Sequence, residues 1–200
     1  MWPAITRFGD SALLLPLIAW MTLVLAMAPQ RRDALRWAAA AVVCGGTVAL
    51  SKLLFMAWGI APPGLDYTGF SGHTALSVLT WPSLAAVLTL GARRYTAWLG
   101  ITLGALLGIA IGISRLALEV HSVSEVLMGA ALGASVAAWF IHGIRRAAPP
   151  PPWQRLALAT GCIVIWFVFY GRVFPSQHLL KDIAMWVSGH AHVFGRMPRM

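Results

Sequence analysis

Six apolar runs divide this chain, separated by short loops that hold most of its charge. They read as 11–28, 35–60, 73–90, 98–113, 122–144 and 156–172. A helix rises ~1.5 Å per residue, so crossing a ~30 Å hydrocarbon core takes about 20 residues. A segment in lipid must satisfy its own backbone, which selects helices over open strands. Hydrophobic residues make up 59% of the chain and charged ones 10%, against roughly 25% charged in a soluble domain. The expectation is an all-α, polytopic bundle of six transmembrane helices, residues 1–200 forming one domain. The tail 175–200 adds a short helix. Leu179, Leu180, Ile183, Trp186 and Val187 share one face, opposite Lys181 and Asp182, as in a helix lying in the interface.

The first run has a rival reading as a cleaved signal peptide, because Ala26-Met27-Ala28 resembles a cleavage site. The run is long for such a segment, Pro29 follows it, and the start is barely positive, so it is read as a helix of the bundle. Cys44 and Cys162 both fall inside apolar runs and read as small buried hydrophobes. The net charge of +9 is spread through loops, with no basic cluster interleaved with aromatics, so nucleic acid is not an expected partner.

Those loops set a topology. Arg31, Arg32 and Arg36, then Arg93 and Arg94, then Arg145, Arg146 and Arg155 occupy alternate loops. The positive-inside rule places them in the cytoplasm and both termini outside. Trp37, Trp98 and Trp153 then mark the inner boundary as an aromatic belt. The 61–73 and 114–121 loops emerge together on the outer face, with Lys52 about two turns below it.

The outer face is where the unusual chemistry lies. Between two apolar runs sits Ser114-Arg115-Leu116-Ala117-Leu118-Glu119-Val120-His121-Ser122-Val123-Ser124-Glu125. Charge in such surroundings is costly and marks function. On a helix, His121 and Glu125 are four apart and share a face. A carboxylate holding one imidazole nitrogen leaves the other free as base or nucleophile. Arg115 is placed to clamp an anion, and the amides of Ser71, Gly72 and His73 open the third run. Gly104, Gly108 and Gly112, and then Gly129 and Gly133, form small-residue stripes that let the fourth and fifth helices pack closely on each other. Two cations, two histidines and a carboxylate describe an anion site, and phosphoryl transfer through a phosphohistidine fits these parts. No Asp/His spacing suits a metal, and no cofactor is called for.

These residues resemble the type-2 phosphatidic acid phosphatase superfamily, whose motifs are Lys-x6-Arg-Pro, Pro-Ser-Gly-His and Ser-Arg-x5-His-x3-Asp. The third is present as Ser114-Arg115-x5-His121-x3-Glu125, the second as Phe70-Ser71-Gly72-His73, and the first as Lys52 followed by Gly59-Ile60. The resemblance implies His121 as nucleophile, and His73 as acid for the leaving group and then base for water. It implies Glu125 as the residue orienting His121, and Lys52, Ser71, Gly72 and Arg115 as phosphate ligands. The chain departs from the pattern at Gly59, Ile60, Phe70 and Glu125. A second Ser188-Gly189-His190 opens no apolar run and is set aside.

The expected function is metal-independent dephosphorylation of a membrane lipid phosphate or diphosphate. Undecaprenyl diphosphate, phosphatidate, phosphatidylglycerophosphate and lipid A phosphate are candidate substrates. The expected setting is a bacterial inner membrane with the site on the periplasmic side, and the partners are the lipid phosphate and the bilayer. The alternatives are a lipid phosphotransferase using the same histidine, and an inactive lipid-binding or scaffold protein.

Overall fold

The structure is a computed structural model, and it describes residues 1–27, 31–145, 147 and 149–196. Ala28 at the end of the first expected span, Pro29, Arg146 and Arg199 lie outside the described residues. The helices are α1 (Trp2–Thr6), α2 (Ser11–Ala26), α3 (Arg31–Trp58), α4 (Gly72–Leu88), α5 (Arg94–Ala117), α6 (Val123–Ile144), α7 (Pro152–Phe169) and α8 (Ser176–Ser188). A 3-10 turn, Arg7–Gly9, joins α1 to α2. Each expected span overlaps one long helix, with α3 and α7 starting four residues earlier and α5 running four residues further at both ends.

The chain is a multi-pass membrane protein. With Trp2–Ala26 taken as one segment, five helices among the described residues are long and apolar enough to cross a bilayer. The sixth expected span, α4, has 17 residues, or about 25 Å, and falls short of that measure. Its position explains its length and composition. It runs through the middle of the bundle between α5 and α6, and it also meets α2 and α3. Thr74, Ser77, Thr80 and Ser83 are all buried along it, so its surroundings are protein.

Both glycine stripes serve this central helix. A Cβ on Gly104 would sit 2.7 Å from the backbone of Trp81 and Pro82, one on Gly108 2.9 Å from Val78 Cα, and one on Gly112 3.0 Å from Thr74 Cγ2. On α6, a Cβ at Gly129 would lie 2.7 Å from the Ser71 carbonyl, and Gly133 packs against the backbone of Ala75. The stripes therefore do not face each other, as the sequence spacing suggested. They clamp α4 from two sides. In lipid there is no hydrophobic drive between helices, so this close backbone approach carries much of the association.

The N-terminal helix is an integral part of the bundle. Leu13, Leu14, Leu17, Met21, Val24 and Leu25 are buried, and Asp10 caps α2 by accepting the Ala12 amide at 2.8 Å. Trp37 departs from the belt assignment. Its ring is fully buried, its indole N–H donates to the Ile18 carbonyl at 3.1 Å, and Phe140 packs against it with ring centroids 5.1 Å apart. Trp98 and Trp153 are about half exposed, as boundary residues would be.

The arginine loops gather at one end. Arg36 donates to the Gly143 carbonyl at 3.1 Å, Arg155 donates to the Leu90 carbonyl at 2.6 Å, and Arg145 stacks over Trp98 at 4.4 Å. The 59–71 loop meets the start of α6 at the other end. Ser122 and Ser124 donate to the Asp66 carbonyl at 2.5 and 2.8 Å.

Candidate active site

α6 begins with a capping box. The Ser122 hydroxyl accepts the Glu125 amide at 3.3 Å, and Glu125 Oε2 accepts the Ser122 amide at 3.1 Å. This reciprocal pair satisfies two amides that a helix start leaves unmet. It also fixes the carboxylate on the face where His121 arrives. His121 Nδ1 lies 2.6 Å from the same Oε2. The other oxygen, Oε1, accepts the amide and hydroxyl of Thr68, each at 2.6 Å. Glu125 is fully buried, and its two oxygens tie the 59–71 loop to the histidine.

With Nδ1 taken, the His121 nitrogen left for chemistry is Nε2. Burial pushes this imidazole below the ordinary histidine value, and that outweighs the carboxylate of Glu125, which raises it. Lys52 and Arg115 push it lower still through their charge. The neutral ring is thus the favoured form, with the carboxylate fixing the proton on Nδ1.

Both cations are held in place. Lys52 on α3 is buried, at 7% exposure. Gly69, at φ +122°, lets the loop press against it, since a Cβ there would lie 2.5 Å from Lys52 Cγ. Only glycine adopts that backbone without strain. Arg115 ends α5 and donates to Thr6 Oγ1 at 2.9 Å, while its buried Nε has no hydrogen-bond partner.

At the start of α4, the geometry corrects one expectation. The Ser71 amide donates to the Glu125 carbonyl at 3.1 Å, so it is not free for an anion. The Ser71 hydroxyl shares a hydrogen bond with Thr74 Oγ1 at 2.9 Å. Gly72 and His73 supply the first-turn amides that remain. His73 Nε2 lies 3.7 Å from Asp10 Oδ2, longer than a hydrogen bond and an ion pair only when the imidazole is protonated. A Cβ on Gly9 would fall 3.5 Å from His73 Cβ, so the N-terminal segment also packs on this histidine.

Lys52, Ser71–His73, Arg115, His121 and Glu125 therefore come together at one end of the bundle. Four neighbours were not singled out in the sequence: Thr6, Asp10, Thr68 and Arg196. Arg196 approaches Glu125 Oε1 at 2.8 Å and Asp66 Oδ1 at 3.0 Å. Asp10 had a weak signal as a carboxylate beside an apolar run; the others had none. Among the described residues, no group of three His, Cys, Asp or Glu side chains is placed to hold a metal ion.

The model of the PAP2 superfamily matches residues 57–149, which take in the Ser71–His73 and Arg115–Glu125 segments and begin after Lys52. A Klebsiella pneumoniae protein described as an uncharacterized 22.5 kDa protein in cps region is 37% identical over 192 residues, covering 92% of this chain and 90% of that protein. No solved structure matches the chain. With histidine, carboxylate and cations gathered in one place, and similarity running nearly end to end with that relative, the chain belongs to the PAP2 superfamily, a superfamily of phosphatases.

Proposed function

We propose that this protein dephosphorylates a membrane lipid phosphate or diphosphate through a phosphohistidine on His121. The observation that carries the reading is the 2.6 Å contact between His121 Nδ1 and Glu125 Oε2, made beside two held cations. It leaves a neutral Nε2 as nucleophile, and the unpartnered Nε of Arg115 as a donor for a phosphate oxygen.

In the first half-reaction, Nε2 attacks phosphorus and the bond to the leaving lipid oxygen breaks. Protonated His73 gives that oxygen its proton. Glu125 stabilises the positive charge that His121 acquires. Lys52, Arg115, the Gly72 and His73 amides and the Ser71 hydroxyl meet the charge on the transferring phosphoryl group. In the second half-reaction, His73 takes a proton from water, the hydroxide attacks phosphorus, and the P–N bond breaks to release inorganic phosphate. The site sits at the end of the bundle away from the arginine loops, which puts it at the outer leaflet if those loops are cytoplasmic.

Purified protein in mixed micelles, given a panel of lipid monophosphates and diphosphates, tests this directly. Phosphate release by the wild type and none by His121→Ala is the expected result. No release from any lipid, or equal release by His121→Ala, would overturn it.

A further inference from the structure

The segment after α8 returns across the end of α3 and reaches the site. Gly189 closes α8 in the left-handed conformation, at φ +69°. His190 Nδ1 lies 3.2 Å from the Ala57 carbonyl, and the Phe194 amide donates to the Met56 carbonyl at 2.9 Å. Ala184 of α8 is buried with Met56 and Ala57, with Leu180 and Val193 packed against them. The Phe194 ring covers Gly59, where a Cβ would come within 3.1 Å of it. Gly59 has φ +67°, so a side chain there would be both strained and obstructed. Two residues on, Arg196 enters between Asp66 and Glu125. Gly59 and Glu125, two positions at which the chain leaves the motif pattern, are thus both contacts of this tail.

We infer that the C-terminal segment is a strap that delivers Arg196 to the site as a positioning residue for the His121–Glu125 pair. Its Nε and Nη2 are buried without hydrogen-bond angles to those carboxylates, so the attraction is one of charge. It acts on Glu125 from the oxygen opposite His121 and touches no reacting atom. Its effect is twofold. It holds Oε1 toward the Thr68 loop, which aims Oε2 at Nδ1. Its positive charge also offsets part of the Glu125 charge, which keeps the His121 ring neutral. The charged and titratable groups that bear on His121 are Lys52 from α3, His73 from α4, Arg115 from α5 and Glu125 from α6. Replacing Arg196 removes none of these groups, so a change in the His121 titration reports on Arg196 itself.

The inference rests on the proposed role of His121, and its test is separable from that role. Arg196→Met should lower kcat by about 10–100-fold, as loss of a partner one step from the reacting group does. It should also move the acid limb of the pH–rate profile to higher pH. Arg196→Lys should recover part of both, and Phe194→Ala should mimic Arg196→Met in milder form. Histidine-selective 15N labelling then reads the titration of His121 without any substrate, with His121→Gln giving the assignment. An upward move of that titration in Arg196→Met supports the strap even if no lipid tested is hydrolysed. A His121 titration and kcat both equal to wild type would overturn it. No phosphate release by wild type, with the titration still moved, would overturn the phosphatase reading alone.

Discussion

Glu125 Oε2 accepts two donors at once, His121 Nδ1 at 2.6 Å and the Ser122 amide at 3.1 Å. One oxygen thus caps a helix and orients a histidine. Capping and catalysis are often treated as rival explanations for a carboxylate in a first helical turn, and here they share an atom. Glu125→Gln keeps the size and removes the charge, so it should lower kcat by about 10²–10⁴, by analogy with a triad carboxylate. It should keep the Ser122 cap, since glutamine also serves at this position of a capping box, and lose only the attraction of the charge for the helix start, about 0.3–1 kcal/mol. Glu125→Asp should fall between Gln and wild type, because a side chain one methylene shorter cannot serve both Thr68 and His121. Steady-state kinetics and thermal melts in detergent check both. A Gln variant with wild-type kcat would reduce Glu125 to a cap.

The pH profile follows from the burial of His121. An unperturbed histidine titrates near ~6.5, and desolvation holds this one lower. On the proposed mechanism the attacking His121 must be neutral, so the acid limb of kcat/KM, the limb that His121 sets, should lie below ~6.5. The same shift bears on stability. The unfolded chain binds the proton first as pH falls, so the stability this group contributes is complete above ~6.5 and is lost as pH drops through the folded value. An acid limb at or above ~6.5 would mean that the carboxylate outweighs burial.

How far the sequence could be read depends on where the signal resides. Helices were legible because apolar runs in lipid leave the backbone no other choice. The His121–Glu125 contact was legible from the spacing of four, but for a different reason than a shared helical face: His121 precedes the Ser122 N-cap, and the capping box turns the Glu125 carboxylate back to it. Arg196 was not, because its approach to Glu125 depends on how the tail crosses α3 after a glycine turn, which no periodicity encodes. The glycine stripes revealed that close packing occurs but not which helix receives it. Trp37 looked like a belt residue because it follows Arg31, Arg32 and Arg36, yet a partner carbonyl on α2 draws its N–H inward.

His73 and Asp10 should separate by degree. His73→Ala should lower turnover by about 10²–10⁴, the usual worth of a general acid–base group. With a good leaving group, it should let an acid-labile phosphoenzyme accumulate. Asp10→Asn keeps the α2 cap, since asparagine caps as well as aspartate, and removes only the charge 3.7 Å from His73. Its kcat should fall by less than that of His73→Ala, with its melting temperature unchanged. Normal turnover in His73→Ala would end its assignment as the proton donor.

Transition-state charge is assigned to Lys52, Arg115 and the α4 amides, so phosphate release should survive EDTA. Loss on chelation with recovery on adding zinc or magnesium would place the chemistry elsewhere. Spheroplasts of cells expressing single-cysteine variants test the orientation. A cysteine at Val120, which is exposed beside the site, should react with an impermeant thiol reagent, and one at Arg94 should not.

The last prediction concerns Gly129, which sets the spacing between α6 and the start of α4. A Cβ there would meet the Ser71 carbonyl at 2.7 Å, and that contact is backbone, which cannot rotate away. Ser71 is also the residue whose amide bonds to the Glu125 carbonyl. Gly129→Ala must therefore push α6 and α4 apart where the start of α6, beside His121, meets the first turn of α4. Overpacking of this kind costs about 1–3 kcal/mol, and misplacement by an ångström costs about 10²-fold in rate. Gly45 is the matched control. It lies mid-helix in α3, and a Cβ there meets nothing within 4 Å. Gly45→Ala should stabilise by about 0.5–1 kcal/mol, since alanine loses less freedom in a helix than glycine. The pair makes the same chemical change at two helical glycines. Melting temperatures that move in opposite directions, with kcat lost only in Gly129→Ala, are the expected result. If both variants gain stability and keep their activity, the close approach of α6 to Ser71 does not hold the site together.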